Sequence, residues 1–396
     1  IARGRHDNAL ELELTESGLR GQGGAAFPTA IKLQAVARAR GRAVVVANGC
    51  EGDPASSKDR LLLERLPHLV IDGALLAARA GGASDIVIAV GEHAPHARRA
   101  VEVALSERHD RRSGTPRVRV VTVPHGYVSG QEAALVNFLN GGPAAKPTAI
   151  PPRVYERGVG GRPTLVDNVE TLAHVALIAR HGAAWFRETG TTEDPGSRLV
   201  SVSGAFAAPG VYEIECGAPL SALVSAAGGF TTSVQALLLG GYAGTWVEPE
   251  RGMQLGLGET QLATSGATLG AGIVVALPTS ACAVAEVARI AGWLSEEGAG
   301  QCGPCVNGLG SIAATLQRVQ HGTAGDAPLE QLARWSSLVR GRGACGHPDG
   351  VAKLVESALS LFAAEFADHA RHGICEGCAR RRILPISRPL ARRMAA

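Results

Sequence analysis

A chain of 396 residues with 45% hydrophobic and 19% charged residues can bury a large core and should divide into two to four domains, which excludes a disordered or fibrous protein. Its net charge of +3 comes without a concentrated basic run interleaved with aromatics, which argues against nucleic acid as a partner. The apolar runs are broken by Gly, Pro or charge well short of a membrane-spanning length, so direct membrane insertion is not expected.

In chain order, Ile1 to Arg20 carries the charged LELELTES pattern in place of an apolar region, so no signal peptide is expected. The start at Ile points to a processed or trimmed N-terminus. Leu19 to Lys32, LRGQGGAAFPTAIK, is a glycine cluster leading into a helix. Glycines let backbone N–H groups approach an anion, and a helix N-terminus adds favourable partial charge, although glycine clusters also serve as ordinary turns.

Three β-branched runs, 42–49, 85–91 and 118–123, alternate with helical spacing over 60–82 and 94–108. Strands separated by such helices predict a mostly parallel α/β sheet, with function at the carboxyl ends of its strands. The first strand runs into the polar loop NGCEGDPASSKDR (48–60), and the third into PHGYVSGQEAAL (124–135), which opens a helix. From Arg198 the order strand, Pro-Gly turn, strand and short helix predicts a compact β-grasp-like module without a convergent polar cluster. After Gly272 helices are predicted near 281–298, 305–320, 327–340 and 348–370, forming a bundle. The basic, Pro-broken tail beyond Cys375 reads as an extended arm, either solvated or docking a partner.

Eight cysteines, two CxxC pairs among them, are too few for a disulfide scaffold in a chain of this length. Without a secretory signal they favour metal or cluster ligation and a cytoplasmic protein. Cys302 and Cys305, closed by the distant Cys345, suit either zinc or an iron–sulfur cluster. Cys375 and Cys378 could supply a missing ligand, bind a separate zinc, or remain plain thiols.

Six motifs, LRGQGGAAFPTAIK, NGCEGDPASSKDR, YVSGQEAAL, GRPTLVDNVET, SVSGAFAAPGVYEI and GQCGPCVNG, stand in the order seen in the 51 kDa or F subunit of respiratory complex I. The chain resembles that family, and related subunits of NAD-linked hydrogenases and formate dehydrogenases, over nearly all of residues 18–360. The resemblance implies an α/β fold class with a Rossmann-like FMN-binding domain (1–195), an SLBB-like β-grasp module (196–272) and a helical iron–sulfur bundle (273–370), after which the basic arm with a CxxC pair (371–396), read from the residues, makes a fourth part. It implies that Gly21, Gly23, Gly24 and Lys32 hold FMN phosphate and ring edges. Asn48, Glu51, Tyr127, Gly130, Glu132, Asp167, Asn168 and Thr171 would complete the flavin pocket, with Phe27 and Gln131 toward a nicotinamide cofactor. Cys302, Cys305 and Cys345 would hold the cluster.

The chain also departs from the family pattern. Cys50 stands where the family has a flavin-contacting Asp, and Gln131 precedes Glu132 where the family has paired glutamates. Of three aromatics that sandwich the adenine, Phe27 is kept, while Ala35 and Arg153 occupy the other positions. Base–aromatic stacking is worth about 1 to 3 kcal/mol per base, so two losses would weaken NADH binding unless Tyr155 substitutes. Arg153 could instead pair with a 2′-phosphate, which would favour NADPH. The family cluster motif C-x-x-C-x-x-C begins here with Ala299, which leaves three thiolates for a [3Fe-4S] cluster or for a [4Fe-4S] cluster with another ligand. His347, Cys375 and Cys378 are the candidates for that place.

These residues imply an electron-transfer oxidoreductase in which NAD(P)H reduces FMN and a cluster passes electrons to a ferredoxin-like or thioredoxin-like [2Fe-2S] protein or to other subunits. One alternative keeps both cofactors without nicotinamide. Another is a structural subunit whose thiols bind zinc.

Overall fold

The computed structural model describes residues 8–108, 115–147, 153–380 and 382–387. The segment before Asn8 and the arm beyond Ser387 lie outside the described residues, as do Pro151 and Pro152. The chain divides into two compact units, one of 1–52, 57–199 and 213–217, the other of 53–56, 200–212 and 218–396.

The first unit opens with helices α1 (Asn8–Ser17) and α2 (Thr29–Arg38), joined by the glycine segment. Strand β1 (Ala43–Gly49) follows, then α3 (Lys58–Arg65), α4 (Pro67–Ala80), β2 (Ala83–Gly91), α5 (Pro95–Glu107), β3 (Arg117–Val123) and α6 (Glu132–Leu139). It closes with β4 (Thr164–Asn168), α7 (Val169–His181) and the single turn α8 (Ala183–Phe186). The helical spacing over 60–82 resolves into two helices, because Pro67 lacks the N–H that a continuous helix needs and sits instead in the first turn of α4.

The four strands form a sheet of order β3-β2-β1-β4, with each neighbouring pair parallel. Side chains alternate across a strand, and β1 uses both faces. Val45 and Ala47 pack with Leu63, Ile71 and Leu172 on one side, whereas Val44 and Val46 pack with Val123, Leu135 and Val166 on the other. Burial on both faces explains the unbroken AVVVA run. The chain leaves β1 toward β2 and β3 and returns to its opposite edge as β4. The β1/β4 pair is therefore the place where strand order reverses and a crevice opens at the carboxyl ends.

The second sheet takes β5 (Ser197–Gly204), β6 (Gly210–Glu215), β7 (Val234–Leu239), β8 (Thr245–Val247) and β9 (Ile273–Pro278). The short helices α9 (Leu220–Ala226), α10 (Pro249–Met253) and α11 (Glu259–Thr264) lie between them in sequence. Its order is β6-β5-β9-β7-β8, with β9 parallel to β5 and antiparallel to β7. Strand β9 is thus the middle strand, buried along its whole length, so the sheet continues past residue 272, where the sequence suggests that the module ends.

Five helices follow: α12 (Ala283–Glu296), α13 (Leu309–Gln320), α14 (Pro328–Val339), α15 (His347–Leu361) and α16 (Ala363–His372). The single helix expected over 348–370 is broken at Phe362. The described part of the tail is fastened rather than free. Glu286 of α12 accepts the Ile383 N–H at 2.7 Å, Arg289 donates to the Leu384 carbonyl, and Leu384 is buried. Among the described residues no helix is long and apolar enough to cross a membrane.

Candidate functional site

The crevice at the β1/β4 ends gathers most of the residues expected for flavin. Asn48 and Asn168 are register partners in the last rung of the ladder. Asn48 Nδ2 donates to the Gly130 carbonyl at 2.8 Å, and its Oδ1 accepts from the Cys50 N–H at 3.2 Å. A Cβ on Gly130 would lie 2.4 Å from the Cys50 carbonyl oxygen, so the loops after β1 and β3 meet backbone to backbone and only glycine fits.

The glycine segment folds back on itself, with the Gly21 N–H donating to the Phe27 carbonyl at 2.9 Å and the Thr29 N–H to that of Leu19 at 3.0 Å. Thr171 of α7 anchors it, its hydroxyl accepting from the Gln22 N–H at 2.9 Å. A Cβ on Gly23 would lie 3.3 Å from that of Asn168, so the segment rests on the β4 end.

Lys32, on the first turn of α2, reaches into the crevice. Its Nζ lies 3.0 Å from the Val166 carbonyl, 3.3 Å from Glu132 Oε2 and 3.6 Å from Asp167 Oδ1. Burial opposes its charge, but Asp167 and Glu132 outweigh that and hold its pKa above the usual value. Asp167 is pushed up to about 6, by burial first and by Glu132, against the pull of Lys32. Asp167 Oδ2 and the Ser129 hydroxyl are buried without a protein hydrogen bond. Buried polar atoms of this kind call for a polar ligand, and a glycine-lined crevice with one lysine suits a flavin phosphate.

A buried ionic network underlies Asn168. Lys58 Nζ lies 2.7 Å from both Asp59 Oδ1 and Glu170 Oε2, and Asn168 Nδ2 donates to Asp59 Oδ2 at 2.6 Å. Burial works against the Lys58 charge, yet Asp59 and Glu170 raise its pKa overall. Asp59 is pushed up to about 6 by burial, with Lys58 opposing. Lys58, Asp59 and Glu170 form a network beneath Asn168 that sequence reasoning does not assemble. The signal available is a Lys-Asp pair at a helix start and a Glu two residues after Asn168.

Other expected residues have structural duties. Both Glu51 oxygens accept backbone N–H groups, from Asp59 and Arg60 at 3.0 Å, so this carboxylate caps α3. Gln131 caps α6 by accepting from the Ala134 N–H at 2.9 Å. Tyr127 is half-buried, Phe27 stays exposed, and Gly24 takes a left-handed φ of 116°. Arg153 donates to the Tyr155 hydroxyl at 2.8 Å and lies over its ring. Cys50 is a neutral thiol, pushed up to about 12 by burial and by Asp59.

The thiols of the helical region fall into two groups. Cys305 lies in a π-helical turn, 304–308, between α12 and α13. Burial raises its pKa, and the nearby Cys302 and Cys345 raise it further, so these three share one neighbourhood. A Cβ on Gly298 would lie 2.6 Å from Cys305 Sγ and 3.6 Å from His347 Nε2, which places His347 beside them. His347 donates Nε2–H to the Leu294 carbonyl at 2.9 Å, and burial holds its pKa down to about 4. It is a neutral imidazole, and the ring nitrogen placed beside Cys305, Nε2, is the one committed to Leu294. The three neighbouring thiols fit an iron–sulfur cluster.

Cys375 and Cys378 are not brought to that group. Their sulfurs meet Cys282, which caps the N-terminus of α12, whereas Cys305 sits just beyond its C-terminus. The 14-residue helix is about 21 Å long, too far for a shared cluster.

Residues 14–177 match the model of the Nuo51 FMN-binding domain, and residues 285–369 match that of the NADH-ubiquinone oxidoreductase-F iron-sulfur binding region. The chain is 35% identical over 383 residues to the second F subunit of NADH-quinone oxidoreductase in Rhizobium meliloti, covering 93% of this chain and 90% of that one. It is 31% identical over 371 residues to the F subunit of NADH-quinone oxidoreductase in Escherichia coli K12, with 89% and 82% covered. A solved NAD+-reducing [NiFe]-hydrogenase in the H2-reduced state superposes with a TM-score of 0.87 at 31% identity. That match takes in 92% of this chain but spans only 63% of the hydrogenase chain. With an FMN-binding domain and an iron–sulfur binding region in this order, the chain belongs to the 51 kDa (F-type) family of NADH-quinone oxidoreductase subunits.

Proposed function

We propose that this chain accepts electrons from NADH at an FMN held in the β1/β4 crevice and passes them through a cluster on Cys302, Cys305 and Cys345 to a separate carrier. The observation that carries this reading is the meeting of Asn48, Asp167 and Asn168 with the glycine segment and Lys32 at the sheet's switch point. Bound there, FMN supplies the step from a two-electron hydride donor to one-electron carriers.

Lys32 supplies positive charge for the phosphate together with the backbone N–H groups of Gly23 and Gly24, while those of Gly21 and Gln22 hold the segment in shape. Asn48 and Asn168 hold the two strand ends rigid, the second through the buried Lys58 network. The exposed ring of Phe27 offers a face for stacking the dinucleotide. His347, beside Cys305, is the remaining candidate for the cluster's fourth ligand. The receiving partner is a ferredoxin-like or thioredoxin-like [2Fe-2S] protein, or a sister subunit of a cytoplasmic complex.

The test is anaerobic. NADH added to purified, FMN-loaded protein should bleach the flavin bands within seconds. A second reading, in which nicotinamide is not used, draws on Cys50, a neutral thiol at the place of a family carboxylate. Flavin bands that survive NADH and NADPH but bleach with reduced ferredoxin would select it and overturn the first.

A further inference from the structure

The second CxxC pair belongs to a four-donor site with Cys282 and His369. Cys282 Sγ lies 3.4 Å from His369 Nε2 and 3.4 Å from Cys378 Sγ, and the sulfurs of Cys375 and Cys378 are 3.7 Å apart. All four donor atoms lie within 4.8 Å of one another. A zinc ion bound tetrahedrally at its usual bond lengths, about 2.3 Å to sulfur and about 2.0 Å to nitrogen, requires edges of about 3.8 Å between sulfurs and about 3.5 Å between sulfur and nitrogen. The observed separations are close to those edges. A four-iron cluster would spread its thiolates over different irons, so this compact set suits one ion.

The surroundings are built for ligation. The His369 ring is buried, and its Nδ1 lies 3.2 Å from the Gln320 carbonyl, which can only accept. The proton is therefore on Nδ1, and Nε2 turns its lone pair toward the thiols, as a backbone carbonyl arranges for many metal-bound histidines. The Ala285 N–H points at Cys282 Sγ from 3.2 Å, in the first turn of α12, where the helix field favours a thiolate. Gly377, between the two tail cysteines, lets that turn approach closely. A Cβ there would lie 3.2 Å from Cys282 Cβ.

We infer that Cys282, His369, Cys375 and Cys378 bind one structural zinc ion, separate from the iron–sulfur cluster. Binding releases the three thiol protons and leaves a Cys3His site with four protein ligands and no open position, so the metal fastens the tail to the bundle and does no catalysis.

The experiment uses the full chain with flavin and cluster in place. Metal analysis should find about one zinc per chain in addition to iron. Zinc K-edge absorption should show a sulfur-rich shell at about 2.3 Å with one nitrogen at about 2.0 Å. The variant Cys375→Ser with Cys378→Ser should lose at least about tenfold in zinc affinity while iron content and flavin absorption stay unchanged. If that variant does not fold, the absorption edge of the unaltered protein decides. Zinc absent from the wild type, a zinc shell of oxygen and nitrogen only, a Cys375–Cys378 disulfide in the mass spectrum, or a variant that loses iron while keeping zinc would each overturn the assignment.

Discussion

Asn48 and Asn168 face each other across the last rung of the β1/β4 ladder, and Asn168 Nδ2 lies 3.4 Å from the Asn48 carbonyl as well as 2.6 Å from Asp59 Oδ2. Asn168 also caps α7, its Oδ1 accepting the Glu170 N–H at 2.9 Å. One side chain therefore joins a strand end, a helix start and a buried carboxylate. Asn168→Ala should destabilise the first unit by about 2–4 kcal/mol, from the lost cap and the deprived Asp59, and should weaken FMN retention. Urea melts and flavin released on gel filtration measure both.

Lys32 brings a cation into the crevice, and its charge is sustained by Asp167 and Glu132. Lys32→Gln should weaken FMN binding about 10–100-fold, the worth of a charge-assisted hydrogen bond, with little loss of fold stability. Titration of apoprotein with FMN, followed by fluorescence quenching, reads the change.

Asp167 makes a pH-dependent contribution whose sign is set by its raised pKa of about 6. A carboxyl that holds its proton more tightly when folded adds stability at low pH, present below its unfolded pKa and lost as pH rises through about 6. Between pH 5 and 7 this costs about 1 kcal/mol in the wild type and nothing in Asp167→Asn. The stability of the variant relative to wild type should therefore increase by that amount from pH 5 to pH 7, and equal slopes for the two proteins would refute the assignment.

Lys58→Met leaves Asp59 and Glu170 buried and uncompensated. A loss of about 3–5 kcal/mol is expected in denaturant melts, and removing Glu170 as well should recover part of it.

Ala299 occupies the position that the family gives to the first cluster cysteine. Ala299→Cys should raise iron retention and lower the reduction potential of the cluster, because a thiolate replaces a weaker donor. His347→Ala should lower iron content in the parent chain but have a smaller effect in the Ala299→Cys background. Iron analysis and redox titration of the four proteins distinguish a ligating His347 from a packing one.

How far these features can be read from the sequence depends on how local their causes are. Asn48 is legible because a β-branched run ending in a polar residue marks a strand's carboxyl end, where parallel sheets bind ligands. Asp167 and Asn168 are expected only from the family resemblance of GRPTLVDNVET, their strand being too short to stand out by its pattern. The Lys58 network is not legible. Its partner Glu170 is 112 positions away, and a lysine in a polar loop ordinarily faces water. Glu51 and Gln131 are recognisable as site-adjacent, but only the fold shows their oxygens committed to helix N-termini. Cys282 and His369 carry no visible motif, since 87 residues separate them, whereas the CxxC spacing of Cys375 and Cys378 announces itself without naming its partners.

The placement of β9 has a consequence for how the second sheet is assembled. Ser201 and Ile273 are register partners, so β5 and β7 cannot be joined until a strand made long after both of them slides between them. Until then each flank exposes an unpaired apolar border, a template for pairing with another chain. A fragment stopped at residue 272 would hold two half-sheets and should aggregate, whereas one carried through Pro278 closes the seam.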